Sequence, residues 1–316
     1  MPGPQDHLAE QGRVPDVSRP HEADVSRETR VRSDDLQARL ERLPANHPSS
    51  PFRDDGTRKP PPPDLSEYEL PLPADPDSPA DPDLSAADQA RTNPDGSWDW
   101  KGSHLTPEQN RAADRGLAGC REAEGRDAEG NYGDHGLTPA MRRIEAQLDH
   151  GQLAPNTEQL ALKEPDRFNE KLAKLIIRFP GESSEDLAKE IHDGVRYTFV
   201  STTETYVSNF WDTSERLQDS GFELIARVNK WGDEEYKGVN TRWRDAESDL
   251  VFEVQAHTYQ SLDAKERTHN TYERINDART PVEDVERLRN YQKHVSSQVP
   301  QPEGWQAIPD YHKEDL

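Results

Sequence analysis

Apolar positions recur at helical or strand spacing from about residue 138 onward, and sparsely before it. Met141, Ile144 and Leu148 form a stripe behind Thr138-Pro139, which reads as a helix N-cap followed by proline at the first helical position. Pro165 or Asp166 opens a second helix with Phe168, Leu172, Leu175 and Ile176 turned inward. Residues 195–201 predict a strand. Residues 204–217 predict a helix with Tyr206, Phe210 and Leu217 on its inner face. Residues 221–230, 236–244 and 250–258 read as three further strands joined by short polar turns, and 262–275 and 282–295 as closing helices. This order predicts an α+β fold, a small mixed β-sheet covered by helices.

Composition changes the picture for the first part of the chain. Only 31% of the 316 residues are hydrophobic, so a core spanning the whole length is not expected. Before residue 135 Pro, Asp, Glu, Arg and Ser dominate; Pro60-Pro-Pro-Pro63 suits a stiff polyproline stretch, and Ala74-Asp-Pro-Asp77 repeats as Ala80-Asp-Pro-Asp83. Residues 1–135 are therefore expected to be a long disordered, acidic N-terminal region. It carries short helices at 34–43, where Leu36, Leu40 and Leu43 are spaced i, i+4, i+7, and at 107–117. Residues 136–300 form the folded domain and 301–316 a C-terminal tail.

The net charge of −23 repels nucleic acid and anionic membrane unless a local basic cleft overrides it. The single cysteine, Cys120, excludes an internal disulfide framework and a cysteine-rich zinc site. No apolar run suits a transmembrane segment or a Sec-type signal peptide, so the expected location is the cytoplasm, or outside the cell by a route that needs no such signal. The pattern of the closing helices requires no particular oligomeric state.

Four polar segments interrupt the apolar pattern in a fixed order. In the first, Lys163 precedes a helix start, Arg167 lies in the first turn, and Lys171 follows four residues later on the same face with Lys174 near it. A helix N-terminus with a basic face favours phosphate, although such a face is more often merely solvated. The second, Asp193-Gly-Val-Arg196, puts a carboxylate at a strand entrance, where it can hold Mg²⁺. The arginine beside it can stack on a purine or hold phosphate. The bland alternative is an exposed turn aspartate and a surface arginine. His192-Asp193 also spells the pair used by metal phosphohydrolases, but no upstream histidine stands in a suitable helix to complete that site.

The third segment, Tyr236-Lys-Gly-Val-Asn-Thr241, has a glycine that permits close approach and a ring that can stack on a base; an ordinary strand with a structural tyrosine is its alternative. In the fourth, Glu253, Gln255 and His257 alternate onto one face and either line a cleft or meet solvent, with Ser261, Lys265, Glu266 and His269 following. Glu253 can bind metal or accept a hydroxyl proton. Cations for phosphates, carboxylates for metal and a ring for a base suit a Mg²⁺-dependent phosphoryl or pyrophosphoryl transferase.

In this order the four segments resemble the synthetase domain of the RelA/SpoT family of nucleotide pyrophosphokinases, over about residues 138–300. That family reads Lys-x3-Ser-x3-Lys, an Asp shortly before an Arg, Gly-Tyr-Arg-Ser-Leu-His, then Glu-x-Gln-x-Arg-Thr. Lys163 and Lys171 match the lysines that handle the donor triphosphate, with Arg167 in place of the serine. Asp193 matches the Mg²⁺-binding aspartate, Arg196 the arginine that packs on the donor adenine, and Tyr236 the tyrosine that stacks on the acceptor base. Lys237, Gly238 and Asn240 replace the usual Arg, Ser and His. Glu253 and Gln255 match outright, and His257 replaces an arginine.

The departures resemble stand-alone actinobacterial ATP nucleotide 3′-pyrophosphokinases and related toxin domains. The resemblance implies a nucleotidyltransferase-like fold and transfer of the β,γ-pyrophosphate of ATP to the ribose 3′-hydroxyl of a purine nucleotide. The products would be (p)ppApp- or (p)ppGpp-like alarmones. Asp193 and Glu253 would hold Mg²⁺; Lys163, Arg167, Lys171 and Lys174 would take the ATP phosphates. Lys237, Asn240 and His257 would join Tyr236 on the acceptor. Pyrophosphorylation of the tRNA 3′ end and a catalytically inactive interaction module are the alternatives. A toxin role implies an immunity or neutralising partner protein.

Overall fold

The computed structural model describes residues 89–127, 131–155, 157–277 and 279–313. A six-stranded sheet runs through the centre. Its strands are β4 (Gly151–Leu153), β5 (Arg196–Ser201), β6 (Phe222–Asn229), β7 (Val239–Asp245), β8 (Val251–Thr258) and β9 (Tyr311–His312), in the order β4-β5-β8-β7-β6-β9. β5 and β8 are parallel and every other pair is antiparallel, so the sheet is mixed, as the alternating segments predict. β5 and β8 are buried central strands, which is why they read as Tyr-Thr-Phe-Val and Phe-Glu-Val-Gln rather than as polar edges.

Helices cover the sheet. α2 (Leu137–Gln147) buries Met141 and Ile144, and Leu148 follows them into the core. α4 (Pro165–Arg178) buries Phe168 and Leu172 against Tyr197, Phe199 and Phe252, with Leu175 and Ile176 packed at the margin. α6 (Tyr206–Asp219) turns Tyr206, Phe210 and Leu217 inward. A second cluster joins Tyr206, Trp231 and Val239 to Val295, Val299 and Ile308. Each helix follows from its apolar stripe, since burying that face is the main source of its stability. Among the described residues no helix is long and apolar enough to cross a membrane.

The structure departs from the sequence expectation at seven places, two of them unexpected short helices, α3 (Thr157–Leu160) and α5 (Ser184–Lys189). The N-cap of α2 is Gly136, with φ of 101°, and Thr138 lies inside the helix, its buried hydroxyl 2.7 Å from that of Tyr197. The span 262–275 is two helices, α7 (Tyr259–Arg267) and α8 (His269–Ile275). They part at Thr268, whose hydroxyl donates to the Ala264 carbonyl at 2.8 Å. β4, three residues at the sheet edge, is too short to leave a periodic signal.

The boundary near residue 135 moves much further forward. Strands β1 (Arg91–Thr92), β2 (Trp98–Trp100) and β3 (Ser103–Leu105) form a small antiparallel sheet, and helix α1 (Pro107–Glu124) follows. A capping box between Thr106 and Gln109 starts α1. Its buried face includes Leu117 and, around it, Ala112, Ala113, Cys120 and Ala123, small residues that lower the apparent hydrophobicity while letting helices approach closely. A Cβ on Gly116 would come within 3.0 Å of the Phe168 ring. Trp98 is 1% exposed and donates from Nε1 to Asp166 Oδ1 at 2.9 Å, tying the small sheet to α4. The expected helix at 107–117 is thus present, longer, and part of the core. The segments 34–43, 60–63 and 74–83 lie outside the described residues.

The expected tail 301–316 is also part of the fold as far as residue 313. After α9 (Val282–Ser297) the chain returns to add β9 beside β6, buries Ile308, and accepts a hydrogen bond from Arg227 Nε at the Pro309 carbonyl, 2.6 Å.

Candidate active site

Three rows of side chains cross one face of the sheet. Arg196, Glu253 and Arg242 stand opposite one another on β5, β8 and β7; Thr198, Gln255 and Asn240 form the next row; Val200 and His257 share the third with Gly238 just beyond β7. Register places Glu253, Gln255 and His257 on this face together, as their alternation predicts. The opposite face carries Tyr197, Val254 and Thr241 into the core.

The cationic segment closes on the same end of the sheet. Backbone bonds from Lys163 N–H to the Gly194 carbonyl (2.9 Å) and from Glu253 N–H to the Val195 carbonyl (3.0 Å) stitch the Lys163 loop, the Asp193 turn and β8 together. Asp193 then receives Lys163 Nζ at 3.0 Å on one oxygen and Lys171 Nζ at 2.5 Å on the other. Burial works to raise the Asp193 carboxyl pKa, but the two ammonium groups outweigh it and hold it at about 2. Arg167 lies 4.6 Å over the Trp100 ring and pairs with Glu170 at 3.1 Å and Glu273 at 2.5 Å. Lys174 pairs with Glu170 at 2.8 Å. Arg167 and Lys174 therefore sit on α4 beside the lysine–aspartate clamp, each held by carboxylates.

On the other side of the rows the acceptor candidates form a network. The Tyr236 hydroxyl donates to Asn240 Oδ1 at 2.9 Å and lies 2.8 Å from His257 Nε2, while His257 Nδ1 lies 2.8 Å from Ser261 Oγ. The two rings meet edge to face, with centroids 5.3 Å apart. His257 is 0% exposed, and burial pushes its pKa well below the ordinary value, so it is neutral and sits beneath Tyr236 rather than in the cleft. Burial, then the charge of Glu253, pushes the Tyr236 phenol well above its ordinary value. Gly238 makes room for this packing: its Cβ would stand 2.9 Å from His257 Cε1. Lys237 turns away, donating to the carbonyls of Trp231 and Asp233.

Two residues of the cleft carried no role in the sequence reading. Lys265 reaches back from α7, one turn after Ser261, and donates to Gln255 Oε1 at 2.6 Å; Gln255 in turn donates to Glu253. Burial and then the charge of Arg196 lower the Lys265 pKa to about 8. The i, i+4 spacing from Ser261 was the available signal. Arg242 joins through the alternation Asn240, Arg242 on β7.

The resemblance assigns Mg²⁺ to Asp193 and Glu253, whose segments the Glu253 N–H bond to the Val195 carbonyl holds together. Among the described residues no group of three or more His, Cys, Asp or Glu gathers as a transition-metal site would require. Two carboxylates suit Mg²⁺, which takes one or two from a protein and the rest of its oxygens from phosphate and water. The fit requires that at least one lysine leave Asp193.

No family model matches the chain, and no curated protein does. Among solved structures it is similar to smu.1046c from Streptococcus mutans UA159, at 17% identity over 47% of this chain and 72% of that one, with a TM-score of 0.33. It is also similar to small alarmone synthetase 1 from Bacillus subtilis, at 12% identity over 58% of this chain and 90% of that one, with a TM-score of 0.37. The same enzyme bound to its product pppGpp matches at 12% identity over 43% and 70%, with a TM-score of 0.31. Scores this low leave the chemistry to the side chains. In the order of its motifs, the chain is similar to RelA/SpoT-type synthetase domains.

Proposed function

We propose that this protein transfers pyrophosphate from ATP to the ribose 3′-hydroxyl of a purine nucleotide, releasing AMP and giving (p)ppApp- or (p)ppGpp-like products. The observation that supports it best is the meeting, at one end of the sheet, of the Lys163–Asp193–Lys171 clamp with Arg196 and the Glu253–Gln255 pair. Segments far apart in sequence thus bring a carboxylate, two lysines, an arginine and a second carboxylate to one end of the sheet.

Lys163 and Lys171 exchange Asp193 for the donor phosphates, and Arg167 and Lys174 extend that cationic wall along α4. Asp193, released from a lysine, and Glu253 are the residues that would hold Mg²⁺, which when bound neutralises charge on the β- and γ-phosphate oxygens. Tyr236, its hydroxyl fixed by His257 and Asn240, presents a half-buried ring for the acceptor base. Glu253, braced by Gln255, orients the 3′-hydroxyl and takes its proton as the oxygen bonds to the β-phosphorus and the bond to the α-phosphate oxygen breaks. AMP carries away that electron pair. The protein's contribution is positioning and charge neutralisation.

The test is the full chain with ATP and Mg²⁺ against ADP, GDP, AMP, GMP and bulk tRNA separately, with products resolved by anion exchange. AMP release matched by a pyrophosphorylated mononucleotide is the expected result and names the acceptor. Product on tRNA alone would replace the nucleotide with an RNA 3′ end. No product from folded protein would leave an interaction module. If the enzyme runs unregulated it drains ATP, so a toxin role carries with it a protein that neutralises it.

A further inference from the structure

The cations assigned to the donor phosphates are all paired with carboxylates: Lys163 and Lys171 with Asp193, Arg167 with Glu170 and Glu273, Lys174 with Glu170. Two half-buried cations of the cleft are not, and a third without a carboxylate partner among the described residues, Arg242, is exposed. Among the described residues no hydrogen bond or ion pair engages the half-buried guanidinium of Arg196, at the head of β5. Lys265, half-buried on α7, has an amide oxygen as its partner, Gln255 Oε1 at 2.6 Å. Glu253, opposite Arg196 across the sheet, accepts from Gln255. Arg196 stands opposite Glu253 on the face of the sheet where the next row holds Gln255, the residue to which Lys265 donates, so the two cations lie one row apart.

Two half-buried cations that share the neighbouring Glu253 without either forming an ion pair with it leave local positive charge, which an incoming anion offsets. A guanidinium fork beside an ammonium is a donor set for phosphate oxygens, since arginine binds phosphate through two parallel N–H groups and lysine as a point charge.

We propose that Arg196 and Lys265 form a phosphate site of their own beside Glu253, separate from the Lys163–Lys171 cradle, that takes a phosphate group of a bound nucleotide. The identity of the ligand as a nucleotide rests on the pyrophosphokinase reading; the anion site rests on the two cations. Arg196 then holds phosphate rather than a base, and Lys265 is a substrate-binding residue.

The experiment is calorimetric titration of the full-length protein with inorganic pyrophosphate, without Mg²⁺, at neutral pH. Lys265→Met is expected to weaken binding about tenfold or more, as loss of one desolvated charge-assisted contact does. Lys189→Met, on the surface helix Ser184–Lys189, is expected to bind as wild type, and thermal melts check that each variant is folded. Lys265→Arg keeps the charge and is expected to keep affinity within a few-fold.

A second readout separates binding from packing. Lys265 faces Arg196 on β5, Glu253 and His257 on β8, His269 on α8 and Glu266 on its own helix, and it loses its proton from about pH 8 upward. Wild-type affinity therefore falls between about pH 7 and 9 more than that of Lys265→Arg, which stays charged. Pyrophosphate binding unchanged in both Lys265→Met and Lys265→Arg, at neutral and alkaline pH, overturns the proposal.

The source of the phosphate is read from steady-state kinetics of Lys265→Met. A raised KM for ATP assigns the site to the donor, and a raised KM for the second nucleotide assigns it to the acceptor. If wild-type protein binds pyrophosphate through Lys265 yet turns over no nucleotide, the anion site stands and the proposed reaction falls. If it turns over nucleotide while both variants bind pyrophosphate as wild type, the reverse holds.

Discussion

At Asp193 one carboxylate meets two ammonium groups, which lets a largely buried charge persist. Its pKa of about 2 in the folded protein lies below the ordinary 3.8, so the clamp contributes stability above about pH 4, and that contribution is lost as the pH falls through 2. The shift corresponds to about 2 kcal/mol at neutral pH. Asp193→Asn is therefore expected to lower unfolding free energy in urea by about that amount at pH 7, with the gap closing toward pH 2. A gap that stays constant down the acid limb would refute the linkage. Glu253 makes a different prediction. Among the described residues its side chain takes a hydrogen bond from Gln255 alone, so Glu253→Gln should fold normally and lose about 10²–10⁴-fold in AMP release, the range for a group that handles a reacting proton. Full activity would remove Glu253 from the mechanism. His257, buried and neutral, should add no step to the pH profile, although its replacement by a bulky apolar residue would displace Tyr236.

At the scale of elements, the small β1–β3 sheet and α1 are built into the domain by long-range contacts. Trp98 is bonded to Asp166 across 68 residues, and Asn169 donates to Asn110 across 59. Trp98→Ala should cost about 3–5 kcal/mol, the usual penalty for emptying a fully buried aromatic site. A chain beginning at residue 136 should fail to show a cooperative melt, whereas one beginning at residue 89 should melt like the full protein; equal melts for both would return the segment 89–135 to a dispensable role. Gly238→Ala tests the third row of the sheet. Its Cβ would press on His257 and on the Ala256 carbonyl at 2.9 and 3.0 Å, so a loss of about 1–3 kcal/mol is expected, together with a weaker acceptor KM because Tyr236 rests on that histidine.

Over the whole molecule, a strongly acidic chain encloses a cleft lined by Arg196, Arg242, Lys265 and the lysine clamp. The surrounding field works against anionic ligands and the cleft works for them, and salt screens the exposed, distant charges more than the close ones. The longer helices and strands from residue 137 to 297 were legible in the sequence because periodicity is local: Met141 and Ile144, or Glu253 and Gln255, declare their shared face through neighbours a few residues away. The same alternation made the polar face of β8 readable as a cleft. α1 was underestimated because alanine and glycine bury well while scoring as weakly apolar, and β9 because two residues carry no period. What only the tertiary structure decided is which charges meet. Lys171 reaches Asp193 across 22 residues, Lys265 comes back over β8 to Gln255, and Arg167 settles between Trp100 and Glu273, two positions from opposite ends of the domain. Such encounters depend on the path of the chain through space, and no spacing along the sequence records them.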